Sequence, residues 1–472
     1  MIEDYGNHIL LGDYYSQYHG IMKENVDFET SHMYNRTKGQ FLSGLRKAAL
    51  QPLTLKVTEE LVWEAHKVIE SKNGHFPKEM FMRVVKELDG NIPLKFQMLP
   101  EGTWCPAGTP VAQVRNTVED FGELGTWWEP LFMMASFDSA CLTRSYEMYK
   151  YLRYLSERFD LPWDVIKTKF HSFGARGHRS VADGIKGALN WSTFLYGTDD
   201  MVIMSQAPSA DMGSIPASGH KVTQQFDDEL QGVLYGMEKV HEKGARIVAY
   251  PIDTYDPQNF IHRHMRTILH RADELNMHFV ARPDSGPVFD QAIDIYNTHI
   301  KGRNRTNLSA IIGEGMDFEK AKAYDQRLIE LGIPVEYLSY GIGSGFYNDL
   351  QRDTHGWAMK TAFSNKAPRM KFSADTFKRS IPGNIDVVLR NGEMTVVPEG
   401  QGEESLYETV YEYDPSKGHK EPVYTPCNSD ADFVKRRDVA LKQDQDGRVN
   451  QERINLDGDI ISLMETFRRK YQ

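Results

Sequence analysis

Two glycine-punctuated segments carry the side chains with the clearest chemical use. Gly341-Ile-Gly343-Ser344-Gly345 follows an apolar run, Pro334–Tyr340, and precedes a helix expected to start near Phe346. Glycines let a backbone approach an anion, and a helix start offers free N–H groups with a partial positive charge. A phosphate is the natural guest, with Arg352 one to two turns along to close on it. In Arg282-Pro-Asp284-Ser-Gly286 a guanidinium and a carboxylate flank a proline. Arginine grips phosphate with two parallel hydrogen bonds, and a carboxylate accepts from a vicinal diol such as that of ribose. A local salt bridge is the equal alternative from this motif alone. Read together, the two segments point to a phosphorylated sugar.

Other segments add donors, acceptors and a ring. Phe173-Gly-Ala-Arg176-Gly177 offers a face to stack on and a guanidinium; the competing reading is a core Phe beside a surface Arg. Ser180 then caps a helix with Ile185, Leu189 and Ser192 on one face, which Gly197 is expected to stop. His220 stands in a Gly/Ser/Pro-rich loop just before a helix, where a lone His is more often merely solvated. Neither H-E-x-x-H, G-x-S-x-G nor a Walker A sequence occurs.

The elements that must position these residues show between about 168 and 355, where short apolar runs alternate with amphipathic stretches. Expected strands are Met201–Ser205, Ile247–Ile252, Met277–Ala281, Leu308–Ile312 and Pro334–Tyr340. Expected helices are Val222–Lys243, Pro287–Ile300 and one capped by Asp317 that ends at Gly332. Repeated β-then-α units imply parallel strands joined by right-handed crossovers. Acids, an arginine and glycines gather in the loops after these strands: Asp253-Thr-Tyr-Asp256, Arg282–Gly286, Gly313-Glu314-Gly315 and Gly341–Gly345. In a parallel barrel that end carries the chemistry. The fold class is therefore α/β, an irregular βα-barrel over 161–355. A second α+β domain is expected from 1–160, completed by 356–472.

Outside the barrel, helical stretches (Glu59–Ser71, Lys78–Leu88, Phe132–Leu155) flank a β-like segment, Ile92–Val114. Ile385–Leu389 and Thr395–Val397 read as a hairpin turned by Asn391-Gly392, and 398–450 as an irregular surface segment. The 472 residues carry 55 Lys and Arg against 66 Asp and Glu, a net charge of −11. That excludes a general nucleic-acid binder but not an anionic small ligand held by a few arginines. The three cysteines, Cys105, Cys141 and Cys427, are too far apart for a metal cluster or a disulfide framework. No basic leader and no membrane-length apolar run is present, so the cytoplasm is the default location.

In order along the chain, these motifs resemble the nicotinamide phosphoribosyltransferase family, within the broader group of nicotinate phosphoribosyltransferases (type II phosphoribosyltransferases). The matching residues are Leu10-Leu-Gly-Asp13-Tyr-Tyr15 with His19, Phe173–Gly177, Gly197-Thr-Asp199, Ile215–His220, Asp253–Asp256, Arg282–Gly286, Gly313–Asp317, Gly341–Gly345 and Arg352-Asp353. The resemblance implies transfer of phosphoribosyl from phosphoribosyl pyrophosphate to a pyridine base, with Mg2+. It also implies ATP stimulation through a phosphorylated His220, and a homodimer with a shared site. It implies that Phe173 stacks on the base, with Tyr15 of the partner subunit opposite and Asp13 nearby. Arg176 would contact the base and Asp199 would accept its amide N–H. Arg282, Asp284, Gly313 and Glu314 would hold phosphate and ribose. Gly343 and Ser344 would cradle the 5′-phosphate with Arg352, and Asp253 and Asp256 would support the metal and pyrophosphate. Asp199 favours nicotinamide: against nicotinate it sets carboxylate beside carboxylate, worth about 4 kcal/mol at ~4 Å and an effective dielectric near ~20. The alternatives are a nicotinate phosphoribosyltransferase and a non-catalytic phosphoribosyl-ligand-binding protein. Glu314, Ser344, Ala175 and Ile252 depart from the family pattern, as does the short segment between Asp199 and His220.

Overall fold

The computed structural model describes residues 6–13 and 26–471. The chain forms two compact units, 144–348 and 1–143 with 349–472. The sequence suggested breaks at 160 and 355. The first break falls instead inside the 25-residue helix Ala135–Phe159, where no turn residue marks it.

Unit 144–348 is built on six parallel strands. Across the sheet they run Gly197–Thr198, Phe170–Ser172, Leu338–Ile342, Leu308–Ile312, His278–Arg282 and Ile247–Pro251. The segment after residue 212 joins the two edges. Gly213 bridges to Gly197 and Ala217 to Ala249, with Thr198 N–H on Gly213 O at 3.0 Å and Ser218 N–H on Ala249 O at 2.8 Å. A half-barrel is thus closed by an irregular seventh segment, the one that leads to His220. Side chains alternate along each strand. Val248, Phe279 and Leu308 face the outer helices in a core with Met237, Ile268 and Ile295, whereas Ala249, Val280 and Ile311 form a smaller cluster with Phe173 and Ile215.

Several expected elements differ. Met201–Gln206 is a helix, and the strand there is Gly197–Thr198. A short apolar run does not distinguish the two states, and Gly197 pairs with His171 instead of stopping the preceding helix. That helix, Val181–Trp191, starts at Ser180, whose hydroxyl accepts the Asp183 N–H at 3.1 Å. Val222–Lys243 divides into His220–Thr223 and Glu229–Glu242, because Asp228 caps a new helix on Leu230 N–H. Pro334 sets a single turn, Val335–Tyr337, before the strand begins at Leu338. The 398–450 segment holds two strands and the helix Ser429–Gln445. That helix buries Phe433, Arg436, Ala440 and Gln443, so no apolar stripe announces it.

A polar group lies sealed in this unit. Lys169 and Asp325 are both buried and 2.9 Å apart; Tyr340 and Tyr151 hydroxyls donate to Asp325 at 2.7 and 3.0 Å. Lys169 also donates to Val335 O at 2.6 Å. The group ties the start of the Phe170–Ser172 strand to Leu338–Ile342, and every charge has partners, the condition under which burial is tolerated.

The other unit centres on a seven-stranded sheet drawn from both parts of the chain. Its order is Ala367–Pro368, Ala358–Ser364, Glu29–Tyr34, Pro110–Asn116, Leu94–Met98, Glu408–Glu412 and Val423–Tyr424, antiparallel throughout. Ile385–Arg390 and Glu393–Pro398 form the expected hairpin, with Asn391 and Gly392 both at positive φ. Within the sheet, burial pushes the Glu29 carboxyl up to about 7, although Thr361 and Ser31 donate to it. A carboxyl with a raised folded pKa holds its proton more tightly in the folded chain, so stability falls as pH rises from about 4.5 through 7. Glu29→Gln should therefore leave the melting temperature unchanged at pH 4 and raise it at pH 8, by up to about 3 kcal/mol of stability. Equal shifts at both pH values in thermal melts would contradict this.

Candidate active site

The inward face of the barrel carries the aromatic part of the candidate site. Phe173 follows the Phe170–Ser172 strand, and its ring lies across the glycines that end two neighbouring strands. A β-carbon on Gly341 would stand 1.9 Å from Phe173 Cε2, and one on Gly313 3.1 Å. Only glycine at 341 leaves room for the ring. Ile215, from the closing segment, packs on the same small cluster of Ala249, Val280 and Ile311. The Phe173 ring is thus half-buried on an apolar floor.

The Gly174–Arg176 turn follows and leaves Arg176 exposed. Asp199 is exposed on the edge beside the Gly197–Thr198 strand. Its backbone N–H donates to Ser172 O at 3.0 Å and its Oδ1 accepts from Ser214 Oγ at 2.7 Å. His171 lies near it; burial holds this imidazole below its ordinary pKa while the Asp199 carboxylate opposes that shift. Asp200 turns the other way and is buried against the Gly174–Arg176 turn.

The polar part of the site gathers after the next strands. Arg282 ends His278–Arg282, and its guanidinium lies 3.9 Å from Asp284 Oδ2. That same oxygen is 3.4 Å from His220 Nε2, and His220 Nδ1 is 3.1 Å from Thr254 Oγ1. The closing segment and two strand-end loops thus bring Arg282, Asp284, His220 and Thr254 into one chain of contacts. Asp253 stands beside it, its Oδ2 accepting from Ser285 Oγ. Arg282 Nε, Asp253 Oδ1 and Glu229 Oε1 are among the buried polar atoms here that have no partner within the described residues. Buried polar groups without partners are uncommon in folded proteins, and those grouped at these strand ends have capacity to bind a polar ligand. Glu229, which the sequence reading missed, has its carboxyl pushed up to about 7 by burial and then by Asp228, Asp253 and Asp256.

Asp256 is exposed, and its Oδ1 caps a short helix through Gln258 and Asn259 N–H at 2.9 and 3.3 Å. Among the described residues, no three His, Cys, Asp or Glu side chains group closely enough to hold a metal ion. Asp253, with one unpartnered oxygen, fits Mg2+ only as a contributor beside phosphate oxygens of a substrate, which is how this ion usually binds.

The glycine loop approaches the Phe173 turn closely. A β-carbon on Gly177 would stand 2.7 Å from both Ser344 N and Ser344 Cα, and one on Gly345 2.2 Å from Met316 O. The loop runs into a single 3-10 turn, Ser344–Tyr347, not into the helix expected from Phe346. What it can offer an anion is backbone N–H groups at close range; a long helix dipole is absent. Gly343 is half-buried and Ser344 exposed. Glu314 is exposed and turned to solvent.

Arg352 belongs to the other unit, as does the exposed Asp13. Tyr15 and His19 lie outside the described residues. In that unit Lys360, Arg369 and Lys371 line a shallow, open depression of about 400 Å3. Burial holds Lys360 below its ordinary pKa; Glu129 opposes this, while Arg36, Lys371 and Arg352 add to it.

Known proteins share this framework. Residues 168–371 match the family described as nicotinate phosphoribosyltransferase (NAPRTase). A nicotinamide phosphoribosyltransferase of Xanthomonas campestris pv. campestris (strain 8004) is 24% identical over 339 residues, 67% of this chain and 72% of the relative. Another, of Acinetobacter baylyi (strain ATCC 33305 / BD413 / ADP1), is 26% identical over 312 residues, 58% of this chain and 62% of the relative. The crystal structure of nicotinate-nucleotide pyrophosphorylase from Pyrococcus furiosus superposes with a TM-score of 0.58 at 15% identity, covering 94% of this chain and 97% of that one. Human nicotinic acid phosphoribosyltransferase superposes with a TM-score of 0.57 at 15% identity, covering 94% and 96%. No described helix is long and apolar enough to cross a membrane. Through its barrel segment the chain is similar to the nicotinate phosphoribosyltransferase family.

Proposed function

We propose that this protein transfers the phosphoribosyl group of phosphoribosyl pyrophosphate to nicotinamide, forming nicotinamide mononucleotide and pyrophosphate. The observation that carries the reading is the convergence of Arg282, Asp284 and His220 at the strand ends, with Arg282 Nε and Asp253 Oδ1 buried and unpartnered. Such a set suits a ligand that carries both phosphate and hydroxyl groups.

The pyridine nitrogen already has a free lone pair, so the base needs no proton removed. The bond from that nitrogen to the anomeric carbon forms as the bond from the anomeric carbon to pyrophosphate breaks. The protein must hold the base in line, neutralise the departing pyrophosphate and tolerate positive charge on the ribose. Phe173 would hold the base by its face and Arg176 would reach its carbonyl. Arg282 would bind phosphate, Asp284 the ribose hydroxyls, and the Gly343–Gly345 backbone the 5′-phosphate. Mg2+ would neutralise pyrophosphate charge beside Asp253. His220, positioned by Asp284 and Thr254, is the residue that ATP would phosphorylate. A homodimer with a shared site, in which Tyr15 of the partner subunit covers the base, completes the reading; an active monomer in sedimentation would remove that part.

Asp199 favours nicotinamide over nicotinate, in keeping with the names of the two sequence relatives. Product analysis with both bases, with and without ATP, tests this. Nicotinamide should turn over at least tenfold faster, and Asp199→Ala should narrow the gap by roughly one to two orders of magnitude, less than the ~4 kcal/mol of a pair at an effective dielectric near ~20 because this carboxylate is exposed to water and salt. Faster turnover of nicotinate by the unaltered enzyme would move the assignment to nicotinate phosphoribosyltransferase.

A further inference from the structure

Asp199 and Asp200 are adjacent, yet their side chains have different partners. Asp199 accepts from Ser214 in the closing segment, whereas Asp200 is 2% exposed and bonds only toward the Phe173 side. Asp200 Oδ2 accepts from Ser172 Oγ at 2.6 Å, and Oδ1 accepts the Ala175 N–H at 2.8 Å. Its own N–H donates to Thr198 Oγ1 at 3.0 Å. Ser172 Oγ in turn accepts the Gly174 N–H at 3.3 Å. One carboxylate therefore collects, directly or through a hydroxyl, two of the three backbone N–H groups of the Gly174–Arg176 turn.

That turn has little to hold it otherwise. It is three residues long, and its own backbone bond is Gly177 N–H to Gly174 O at 2.7 Å. A single 3-10 turn is marginal without outside partners. A β-carbon on Gly174 would stand 3.1 Å from Ser172 Oγ, 3.1 Å from the Tyr347 hydroxyl and 3.3 Å from Asp200 Oδ2. These oxygens close over the glycine, in a space from which water is excluded and charge-assisted hydrogen bonds are strong.

We propose that Asp200 is a positioning residue for the base: it touches no substrate, and it fixes the turn whose ends carry Phe173 and Arg176. This rests on the phosphoribosyl-transfer reading above. Its sequence signal is one carboxylate, the second of an Asp-Asp pair, and only the fold shows that the two have separate tasks.

The test uses the full-length enzyme and separates base from sugar phosphate. In Asp200→Ala the KM for nicotinamide should rise at least tenfold, and the KM for phosphoribosyl pyrophosphate should stay within twofold. Asp200→Asn keeps the shape and one acceptor for the Ala175 N–H, and should recover most of the loss. Ser172→Ala, which removes only the strand-end tie, should raise the nicotinamide KM about three- to fivefold. It also carries the test if Asp200→Ala does not fold. Binding of nicotinamide alone, by calorimetry, should weaken in the same order. An equal rise in both KM values, an unchanged nicotinamide KM, or no recovery in Asp200→Asn would overturn the proposal. A wild-type enzyme that forms no product with either base would sink the transferase reading instead.

Discussion

Arg282→Ala should lower kcat/KM for phosphoribosyl pyrophosphate by roughly 10^2–10^3, the range seen when one preorganised charge-stabilising donor is removed from an enzyme site. Its Nε is buried without a partner among the described residues, and its Nη2 lies 3.9 Å from Asp284 Oδ2. Among the described residues the guanidinium thus has hydrogen-bonding capacity unused. Removing it also strips Asp284 of its nearby cation and leaves that carboxylate facing His220 alone. Arg282→Lys keeps the charge but loses the planar fork, so it should recover only part of the activity. Steady-state kinetics on both variants, with thermal melts to exclude unfolding, decide the matter. If Arg282→Lys matches wild type, a point charge suffices and bidentate phosphate binding at this residue is wrong. If Arg282→Ala keeps wild-type kcat/KM, the sugar phosphate binds elsewhere.

Gly341→Ala should abolish base binding or lower it at least 100-fold. The added carbon would lie 1.9 Å from Phe173 Cε2 and 2.2 Å from Cδ2, far inside contact distance. Neither neighbour can yield cheaply: residue 341 is paired in a central strand, and the ring rests on Ala249, Val280 and Ile311. Overpacking of this kind costs about 1–3 kcal/mol when the structure can adjust. Here the adjustment is displacement of the ring that would stack on the base. The double variant Gly341→Ala with Phe173→Ala removes the clash and should restore the melting temperature without restoring affinity for nicotinamide. Recovery of affinity in the double variant would show that the ring does not hold the base.

Much of the barrel was legible because its outer helices and strands write their periodicity in apolar residues. Leu308–Ile312 and the Asp317-capped helix lie where the pattern placed them, with Asp317 Oδ1 accepting the Lys320 N–H at 2.8 Å. The helices Lys78–Leu88 and Glu59–Glu70 are equally plain. The misread elements share a cause. Met201–Gln206 is too short for a period to show, and Ser429–Gln445 buries Arg436 and Gln443, so its inward face does not look apolar. The helix expected after the glycine loop is a single 3-10 turn, and Gly345 within it lies so near Met316 O that a β-carbon would stand 2.2 Å away.

At the site, residue types alone told which groups have chemistry to offer: glycines where backbone must come close, Arg282 and Asp284 around a proline, and Phe173 beside Arg176. Those are local properties of side chains and φ angles. What only the tertiary structure decided is which groups meet. His220 lies 64 residues from Asp284 in sequence, yet reaches it because the segment from Gly213 to Ser218 closes the half-barrel and delivers His220 to the neighbouring strand ends. Phe173 lies on Gly341 because parallel pairing sets Ile342 beside Ser172. Asp199 and Asp200, indistinguishable as letters, differ in partner and burial: Asp199 is exposed and meets Ser214 of the closing segment, and Asp200 is buried and meets Ser172 and the Ala175 N–H. Contacts of this kind follow from strand register, which is set by the packing of the whole sheet and is written in no single motif.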